Sequence, residues 1–403
     1  MLRQIIPVTL LLLAACGDST GPGTGGGGGG GGATLAGTVR VAGQSATLAG
    51  ATVSAGTLKA TSDENGHFEL TSVPVGTATV RAERPGYQPA EATITLAAGA
   101  NSHDFGLTAQ EIYQFGAIAA LVPAGTEPMR GTIVTIGGPF TNGFVTGQKI
   151  AHEADPVLEQ SLQDLGASLR ALARSTHMAL IGSSTTNMTS SAASDDALLA
   201  AVRATGEKSG HAELASAPLL IFGISNGSPE AVGLAARQPG RTIGLLVRVP
   251  TGVASLTSSE ALAVPAFVMQ AGLDDKTRNA AVLESFLANR SRGGLWSLVV
   301  EPDVVHAQAS ARANAACVAW LSRVAGLRLP SASGTSLIML EEESGWLGNQ
   351  TSLSTAAWAD YTGDRAAASW LLNEAAAGSW KILGTPEGTG GGGGGGTAAA
   401  AAH

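Results

Sequence analysis

The sequence predicts an α/β protein, with a mostly parallel sheet flanked by helices and a small all-β sandwich domain before it. Short apolar runs alternate with helical segments across residues 112–330, as in parallel sheets whose strands are buried on both faces. Residues 34–108 instead alternate Val and Thr with small residues between frequent turn signals, which favours a sandwich. The 403 residues are 44% hydrophobic and 13% charged, enough apolar content for a sizeable core.

Charge and cysteine content exclude two classes of function. The formal net charge is −8, from 23 basic and 31 acidic residues, and the basic residues form no cluster. A nucleic-acid partner is therefore not expected, because phosphate binding needs a basic surface. The two cysteines are too few for a disulfide framework or a cysteine-built zinc site.

Residues 1–16 have the pattern of an export signal. A positive start at Arg3 is followed by an apolar run over residues 5–15, which is too short to span a bilayer core of about 30 Å. The sequence Leu13-Ala14-Ala15-Cys16 resembles the lipobox of bacterial lipoproteins, a family in which the cysteine thiol carries a diacylglyceryl group. The resemblance implies an exported protein that a lipid on Cys16 anchors to a membrane. The alternative is an ordinary signal peptide with an incidental cysteine.

Residues 17–33 are predicted to be a Gly-rich linker. They end in a run of glycines, Gly25–Gly32, and Ala33, and such chains are flexible. The linker would hold a folded body away from a membrane. In Gram-negative lipoproteins an Asp directly after the lipidated cysteine resembles an inner-membrane retention signal, so Gly17 favours the outer membrane or cell surface.

Turn signals divide residues 34–108 into short strands. Asn65-Gly66 tolerates positive φ at little cost, and Pro85-Gly86-Tyr87 is a second turn cluster. The predicted strands are Thr34–Ala42, Gly50–Ala55, Gly66–Ser72, Gly76–Ala82 and Ala90–Ala97.

The order of motifs in this segment resembles the carboxypeptidase regulatory-like (transthyretin-like) domain. The motifs are Gly37-Thr38-Val39, Leu48–Val53, Thr61–Phe68, Val73–Gly76 and Pro85–Tyr87. The resemblance implies a non-catalytic spacer or binding module of a secreted protein. His67 and His103 are assigned no role, because lone histidines at strand starts and loops are usually ordinary surface or packed residues.

Residues 112–330 are predicted to form the α/β domain. The predicted strands are Thr132–Ile136, His177–Ile181, Leu219–Phe222, Ile243–Val247, Ala266–Met269 and Leu295–Val300. The predicted helices are Pro156–Arg174, Asp195–Gly206, Pro229–Arg237, Asp275–Arg290 and Ala307–Val324. In the first helix, leucines recur at steps of four and three residues and give one apolar stripe.

A G-x-S-x-G motif follows the third of these strands. Gly223 and Gly227 flank Ser225 between a strand and a helix start, where glycines let the two elements approach and the turn holds the serine in a strained backbone. Pro229 and Glu230 suit the first turn of that helix. Asp274 and Asp275 lie after a later strand, and His306 lies after the next one.

Together these residues resemble the α/β-hydrolase family. The resemblance implies that Ser225 is the nucleophile, His306 the general base and Asp275 the acid, with Asp274 as the competing acid. It also implies an oxyanion hole built from the N–H of Asn226 and a second N–H from the loop Gly137–Phe140. Pro139 has no N–H, so Gly138 or Phe140 would supply it.

Each residue taken alone has a simpler explanation, as a turn serine, a helix cap or a packed histidine. Other polar residues lack such a context. Cys317 lies in an apolar helical run, and His152 has no second histidine at ligand spacing. The pair Ser183-Ser184 is flanked by small residues that fit a loop better than a strained turn. No metal site is assigned.

Residues 334–384 are predicted to form a Trp-containing helical appendage, with 385–403 a disordered Gly/Ala tail. Four of the six tryptophans lie in the appendage: Trp346, Trp358, Trp370 and Trp380. We expect these aromatic side chains to dock on the catalytic domain. The alternative is that they form the wall of an acyl pocket or a face on which a sugar stacks.

The predicted function is that of a serine hydrolase, a carboxylic-ester hydrolase that works through an acyl-enzyme. It would act on a small-molecule or polymeric ester and need no cofactor. Two alternatives stay open: a non-catalytic, lipid-anchored binding or scaffold protein with a hydrolase-like fold, and a serine peptidase that uses the same triad.

Overall fold

The structure is a computed structural model. It describes residues 32–125, 127–150, 156–184, 190–306, 310–331 and 336–386. The predicted signal peptide, Cys16, residues 17–31 of the linker and residues 387–403 of the tail lie outside these ranges. Among the described residues, no helix is both long enough and apolar enough to cross a bilayer.

The first described segment forms a β-sandwich of nine strands. They are β1 Ala33–Val41, β2 Thr52–Ala55, β3 Leu58–Thr61, β4 His67–Val73, β5 Gly76–Glu83, β6 Tyr87–Gln88, β7 Ala90–Leu96, β8 Gly99–Ser102 and β9 Phe105–Ala109. One sheet has the order β4-β1-β9-β6, with β8 also paired to β1, and the other has the order β3-β2-β5-β7. Alternate side chains of both sheets, including those of Leu35, Phe68 and Val80, form one buried core.

The five predicted strands of this region are all present, with small shifts of their ends. The predicted turn before β4 is stabilised by Asp63, whose Oδ1 accepts hydrogen bonds from the N–H groups of Asn65 and His67 at 2.9 and 2.8 Å. Gly66 has a φ of +74° in this turn. Four strands, β3, β6, β8 and β9, were not predicted from the sequence, because segments of only two to five residues give too short a pattern.

A second, larger sheet contains eight strands. They are β10 Ile112–Phe115, β11 Ile118–Leu121, β12 Gly131–Ile136, β13 Met178–Ser183, β14 Leu219–Ile224, β15 Thr242–Arg248, β16 Ala266–Ala271 and β17 Trp296–Glu301. Their order is β10-β11-β13-β12-β14-β15-β16-β17. The pairs β10–β11 and β11–β13 are antiparallel, and all the others are parallel.

Helices cover both faces of this sheet. They are α1 Phe140–Thr146, α2 Pro156–Thr176, α3 Ala192–Ser209, α4 Ser228–Arg237, α5 Ser259–Leu262, α6 Lys276–Arg290 and α7 Ala311–Arg328. Residues of α1, α2 and α7 share one apolar cluster, and residues of α3, α4 and α6 share the other. Successive residues of β14 alternate between the clusters: Leu220 and Phe222 join the first, Leu219 and Ile221 the second. Because both faces are buried, the strand is a continuous apolar run.

These observations confirm the predicted fold class, an α/β fold with a mostly parallel sheet flanked by helices and preceded by a small β-sandwich. The six predicted strands and five predicted helices of this region are present, with shifted ends. The first three residues of the predicted helix Ala307–Val324 lie outside the described ranges. The antiparallel hairpin β10–β11 was not predicted.

The C-terminal segment corrects the expected helical appendage. Residues 336–386 contain an antiparallel sheet of β18 Trp346–Gly348, β19 Thr355–Ala357 and β20 Ser369–Leu371, followed by one helix, α8 Glu374–Gly384. The strands are only three residues long, too short for alternation to be visible in the sequence. Gly345 is needed for their packing, because a Cβ there would lie 2.3 Å from Nε1 of Trp370.

This segment covers the free edge of β17. Its contacts converge on Leu298, whose carbonyl accepts hydrogen bonds from Ser369 Oγ at 2.9 Å, Gln350 Nε2 at 3.0 Å and Trp380 Nε1 at 2.6 Å. The Leu298 N–H in turn donates to Ser369 Oγ at 2.8 Å. Edge backbone groups that would otherwise be free to pair with another chain are therefore occupied.

Candidate active site

Ser225 lies at a strained turn between β14 and α4. Its φ is +52°, a conformation that is costly for a residue with a side chain. A Cβ at Gly223 would lie 2.6 Å from that of Ala231, and one at Gly227 would lie 2.2 Å from the carbonyl oxygen of Ile136. Both glycines of the G-x-S-x-G motif are thus required by close packing, as the sequence predicted.

Three side chains that are distant in sequence meet above the carboxyl ends of β14, β16 and β17. The Ser225 Oγ lies 2.7 Å from Nε2 of His306, and the His306 Nδ1 lies 2.6 Å from Oδ2 of Asp274. The aspartate is almost enclosed, with 6% of its side chain exposed, whereas 30% of the imidazole is exposed. The geometry is that of a nucleophile, a base and an acid that orients the base.

The structure places the competing aspartate, and not the expected one, beside His306. Asp275 was predicted and Asp274 was its competitor, but Asp274 holds the contact with His306. Asp275 is exposed and is the N-cap of α6, where its Oδ1 accepts the N–H of Arg278 at 2.8 Å. The physical reason is that α6 begins at Lys276 rather than at Asp275. Asp275 therefore caps the helix.

Backbone contacts between two loops bring Asp274 and His306 together. The N–H of Gly272 donates to the carbonyl of Glu301 at 2.7 Å, and the N–H of Leu273 donates to that of Val304 at 3.0 Å. A Cβ at Gly272 would lie 2.3 Å from the Pro302 carbonyl oxygen, so the loops can approach only because this residue is glycine.

The Asp274 carboxylate is kept ionised by its hydrogen bonds. Burial by itself would raise the pKa of this carboxyl, but hydrogen bonds from His306 and the Asp275 N–H, with the charges of His306 and Arg278, lower it overall. An ionised acid is the form that can orient and stabilise an imidazolium.

The residues predicted for the oxyanion hole lie next to Ser225. Asn226 directly follows it, with its side chain at the surface. The loop after β12 passes against the same turn, since a Cβ at Gly227 would be 2.7 Å from the Gly137 nitrogen. Phe140 begins α1, so its N–H has no carbonyl four residues back. The choice between Gly138 and Phe140 as second donor stays a prediction.

Two contacts at the site were not anticipated from the sequence. Nη1 of Arg278 lies 2.8 Å from Asp274 Oδ1 and 3.2 Å from His306 Nδ1. The N–H and Oγ1 of Thr251, after β15, donate to the Ser225 carbonyl at 3.4 and 3.3 Å. The spacing of four residues between Asp274 and Arg278 was a signal for the first contact; Thr251 carried no comparable signal.

The remaining polar residues stand apart from this site. Cys317 is fully buried, and burial raises the pKa of its thiol to about 11, so it is an inert core residue. The His103 ring packs edge-on against Phe105, with centroids 4.8 Å apart. His152 lies outside the described ranges. Among the described residues, no group of three His, Cys, Asp or Glu could hold a metal ion.

Comparison with known proteins identifies the N-terminal region. Residues 34–108 match the family model of the carboxypeptidase regulatory-like domain, the family that the sequence resemblance named. No curated protein matches the chain at a significant level.

Solved structures of hydrolases are similar to this chain. The poly(3-hydroxybutyrate) depolymerase LpqC from Bordetella parapertussis is 17% identical, with a TM-score of 0.34 over 53% of this chain and 85% of that chain. Brefeldin A esterase, a bacterial homologue of human hormone sensitive lipase, is 14% identical, with a TM-score of 0.35 over 52% of this chain and 73% of that chain.

A cohesin–X-dockerin complex from Acetivibrio cellulolyticus is also similar. It is 26% identical, with a TM-score of 0.18 over 20% of this chain. The alignment spans 60% of the length of that structure.

Proposed function

We propose that the protein is a serine hydrolase that cleaves carboxylic esters through an acyl-enzyme. The observation that carries the proposal is the continuous chain of hydrogen bonds from Ser225 to His306 to Asp274, with distances of 2.7 and 2.6 Å. The strained backbone at Ser225 supports it, because strain of this kind concentrates at functional sites.

In the acylation step, Ser225 Oγ attacks the ester carbonyl carbon while its proton passes to Nε2 of His306. The carbonyl oxygen becomes an oxyanion, which the N–H of Asn226 and that of Gly138 or Phe140 would bind. When the carbon–alkoxide bond breaks, the imidazolium returns the proton to the leaving alcohol. The acyl group is then an ester of Ser225.

In the deacylation step, His306 takes a proton from water, and the resulting hydroxide attacks the acyl carbon. The second oxyanion collapses, the carboxylic acid leaves, and the proton returns to Ser225. Asp274 stabilises the imidazolium in both steps. The positive end of α4, which begins at Ser228, also favours the negative charge on the oxyanion.

We further propose that the ester has an apolar acyl or alkyl group, because exposed apolar residues directly precede Asp274 and His306 in sequence. Leu273 precedes the acid and is 61% exposed; Val305 precedes the base and is 45% exposed. A contiguous exposed patch formed by these two side chains would contact an apolar part of the ester. A polymeric ester with apolar groups would contact the same residues.

The proposal is tested with a fluorophosphonate probe and a p-nitrophenyl ester. Wild-type protein should become labelled and hydrolyse the ester, and Ser225→Ala should do neither. Ser184→Ala is the matched control, since Ser184 was the rival serine and bonds to the Ala117 carbonyl at 2.8 Å; it should keep both activities. Labelling that survives in Ser225→Ala would contradict the proposal. If folded wild-type protein shows neither labelling nor turnover, the result would support the alternative of a non-catalytic scaffold protein. If it cleaves a peptide but no ester, the result would support the alternative of a serine peptidase.

We also propose that a lipid on Cys16 anchors the protein to a membrane, at the outer membrane or cell surface. The lipobox-like sequence and the glycines after it support this. The full chain, expressed in a Gram-negative host fed an alkyne fatty acid, should incorporate the lipid. Cys16→Ala should abolish incorporation, and Cys317→Ala should not. Equal incorporation in both variants would contradict the anchor.

A further inference from the structure

A cavity of about 170 Å³ lies where the sandwich meets the end of α3. Its walls include Tyr87 of β6, Tyr113 of β10, Val122, and His211, which follows α3. One water molecule needs about 10–15 Å³ of such space, so the cavity has room for a small organic molecule. None of the described residues that line it belongs to the candidate triad, and the cavity is therefore separate from the candidate active site.

His211 is a buried residue of this lining, and one of its ring nitrogens is free. The residue is 6% exposed. Nδ1 lies 2.9 Å from Oε1 of Glu213, whereas Nε2 has no hydrogen-bond partner among the described residues. The two nitrogens point away from different sides of the ring, and Glu213 is not among the residues that line the cavity. Nε2 is therefore the nitrogen that faces the cavity.

Glu213 determines which nitrogen of this imidazole carries the proton. Burial by itself would raise the pKa of the Glu213 carboxyl, but hydrogen bonds from the N–H groups of Met129 and of Glu213 itself, and from His211, lower it overall. An ionised carboxylate only accepts hydrogen bonds, so Nδ1 donates to it. In the neutral imidazole Nε2 is then an acceptor, and a ligand must offer it a donor such as a hydroxyl.

Tyr113 and Arg84 add a second acceptor and a donor to the same cavity. The Tyr113 hydroxyl donates to the Gln110 carbonyl at 2.6 Å, and its oxygen can still accept a hydrogen bond. Burial and the charge of Glu111 raise the pKa of this phenol to about 12, so it stays protonated at neutral pH. The Arg84 guanidinium lies over the Tyr87 ring, 5.2 Å from its centre. Within the described part of the chain this guanidinium has no ion pair or hydrogen bond.

These groups match a ligand that carries several hydroxyls. A hydroxyl both donates and accepts, so it can donate to His211 or Tyr113 and accept from Arg84. A carboxylate would leave both acceptors without a donor, and no Asp or Glu is present in the described lining to bind a cation. Val122 and Pro123 supply apolar wall for the C–H groups of a ring.

We propose that this cavity binds a neutral sugar unit, whose hydroxyl groups donate to Nε2 of His211 and accept from Arg84. A sugar bound here attaches the protein to a saccharide and leaves Ser225 unobstructed. The inference is independent of the proposed hydrolysis, because no residue of the triad takes part in it.

The test is saturation-transfer NMR, with affinities obtained by titration of D-glucose, D-galactose and D-mannose. Wild-type protein should bind at least one of the three sugars. His211→Asn keeps a donor near the position of Nδ1 but removes Nε2, and should weaken binding by about tenfold. His211→Gln, whose amide oxygen can replace the Nε2 acceptor, should bind more tightly than His211→Asn. The matched control is His67→Asn, at an exposed histidine of β4, which should bind as the wild type does.

A second readout locates the sugar at the cavity. In proton–carbon spectra of the histidine rings, with the His211 signal assigned by its loss in His211→Asn, the sugar should move the His211 signal and leave that of His67 unchanged. Circular dichroism checks that each variant is folded. Three results would overturn the inference: no binding of any of the three sugars, equal affinity in wild type and in folded His211→Asn, or binding of acetate without binding of a sugar.

Discussion

Asp274 and Asp275 are neighbours in sequence, but their carboxylates have different partners. Asp274 contacts the imidazole of His306 and is nearly buried, whereas Asp275 is exposed and binds the first turn of α6. An acid that orients a base must be within hydrogen-bond distance of it. A helix cap needs only an oxygen near the first free N–H groups.

Replacing each aspartate by asparagine should therefore have very unequal effects. Asp274→Asn should lower kcat by about 10⁴-fold, because an amide can favour the wrong imidazole tautomer and cannot stabilise an imidazolium. Asp275→Asn should leave kcat within a few-fold of wild type, since asparagine is as good a cap as aspartate. Steady-state kinetics on one ester, with circular dichroism as a check of folding, measure both. Equal losses in the two variants would mean that neither carboxylate is the triad acid.

The sequence singled out Ser225 and His306 as candidates, and the structure brings them into contact, but the sequence did not separate the two aspartates. The serine is marked by its flanking glycines and the strand before it, and the histidine by its place after the last strand. The acid depends instead on whether α6 begins at 275 or 276, a difference of one residue that helix-end patterns do not resolve. Arg278 was missed for a related reason, since its orientation follows from the same helix start.

At the scale of elements, the turn at Ser225 is held by contact between β12 and the start of α4. Gly227 has a φ of −78°, a value that alanine adopts without strain. A side chain at position 227 is excluded by the Ile136 carbonyl oxygen, which would lie 2.2 Å from its Cβ. Any larger residue must push the loop after β12 away from the serine.

Gly227→Ala should thus reduce turnover without removing the triad. A displacement of about 1 Å at the oxyanion side of the site can lower kcat by about 10²-fold. The matched control is Gly240→Ala, where a Cβ meets nothing within 4 Å, and its kcat should equal that of wild type. Unchanged turnover in Gly227→Ala would show that the β12 loop does not contribute to catalysis.

Strands that are buried on both faces were the elements most visible in the sequence. Leu219–Ile224 is apolar throughout, and Ala266–Ala271 is apolar except for Gln270. Alternate residues of each strand pack against the two helical layers. The hairpin β10–β11 lies at the sheet edge, where the pattern of Ile112–Phe115 is only partly apolar. The strands of the C-terminal segment are stabilised by tertiary contacts, which a local pattern does not show.

The same C-terminal segment should contribute strongly to stability through Trp380. Its indole is 1% exposed and donates to the Leu298 carbonyl at 2.6 Å. Trp380→Ala should lower the free energy of unfolding by about 3–5 kcal/mol. Trp380→Phe keeps most of the apolar volume and should cost about 1 kcal/mol for the lost hydrogen bond, because Leu298 retains two other donors. Urea denaturation measures both, and equal small losses would contradict the assigned packing.

At the scale of the whole molecule, the sandwich contacts the larger domain at the end of α3. The turn at Gly86 bonds to the carbonyl of Lys208, at the end of α3, at 2.9 Å. The chain runs from α3 to the start of β14, so this contact lies toward the amino end of β14, whereas Ser225 follows the carboxyl end of that strand.

Gly86 is the residue on which this arrangement depends most directly. Its φ is +85°, and a Cβ would lie 2.8 Å from the Ser209 carbonyl oxygen. Gly86→Val should separate the sandwich from α3 and increase amide hydrogen exchange at residues 84–87 and 205–211. Gly43→Val is the matched control, because Gly43 has a similar φ of +72° but open space around its Cβ position. The control should show only local strain of about 1–2 kcal/mol. Ester hydrolysis should be equal in both variants, since the contact lies away from the triad. A loss of turnover in Gly86→Val alone would mean that the contact between the sandwich and α3 affects the candidate site.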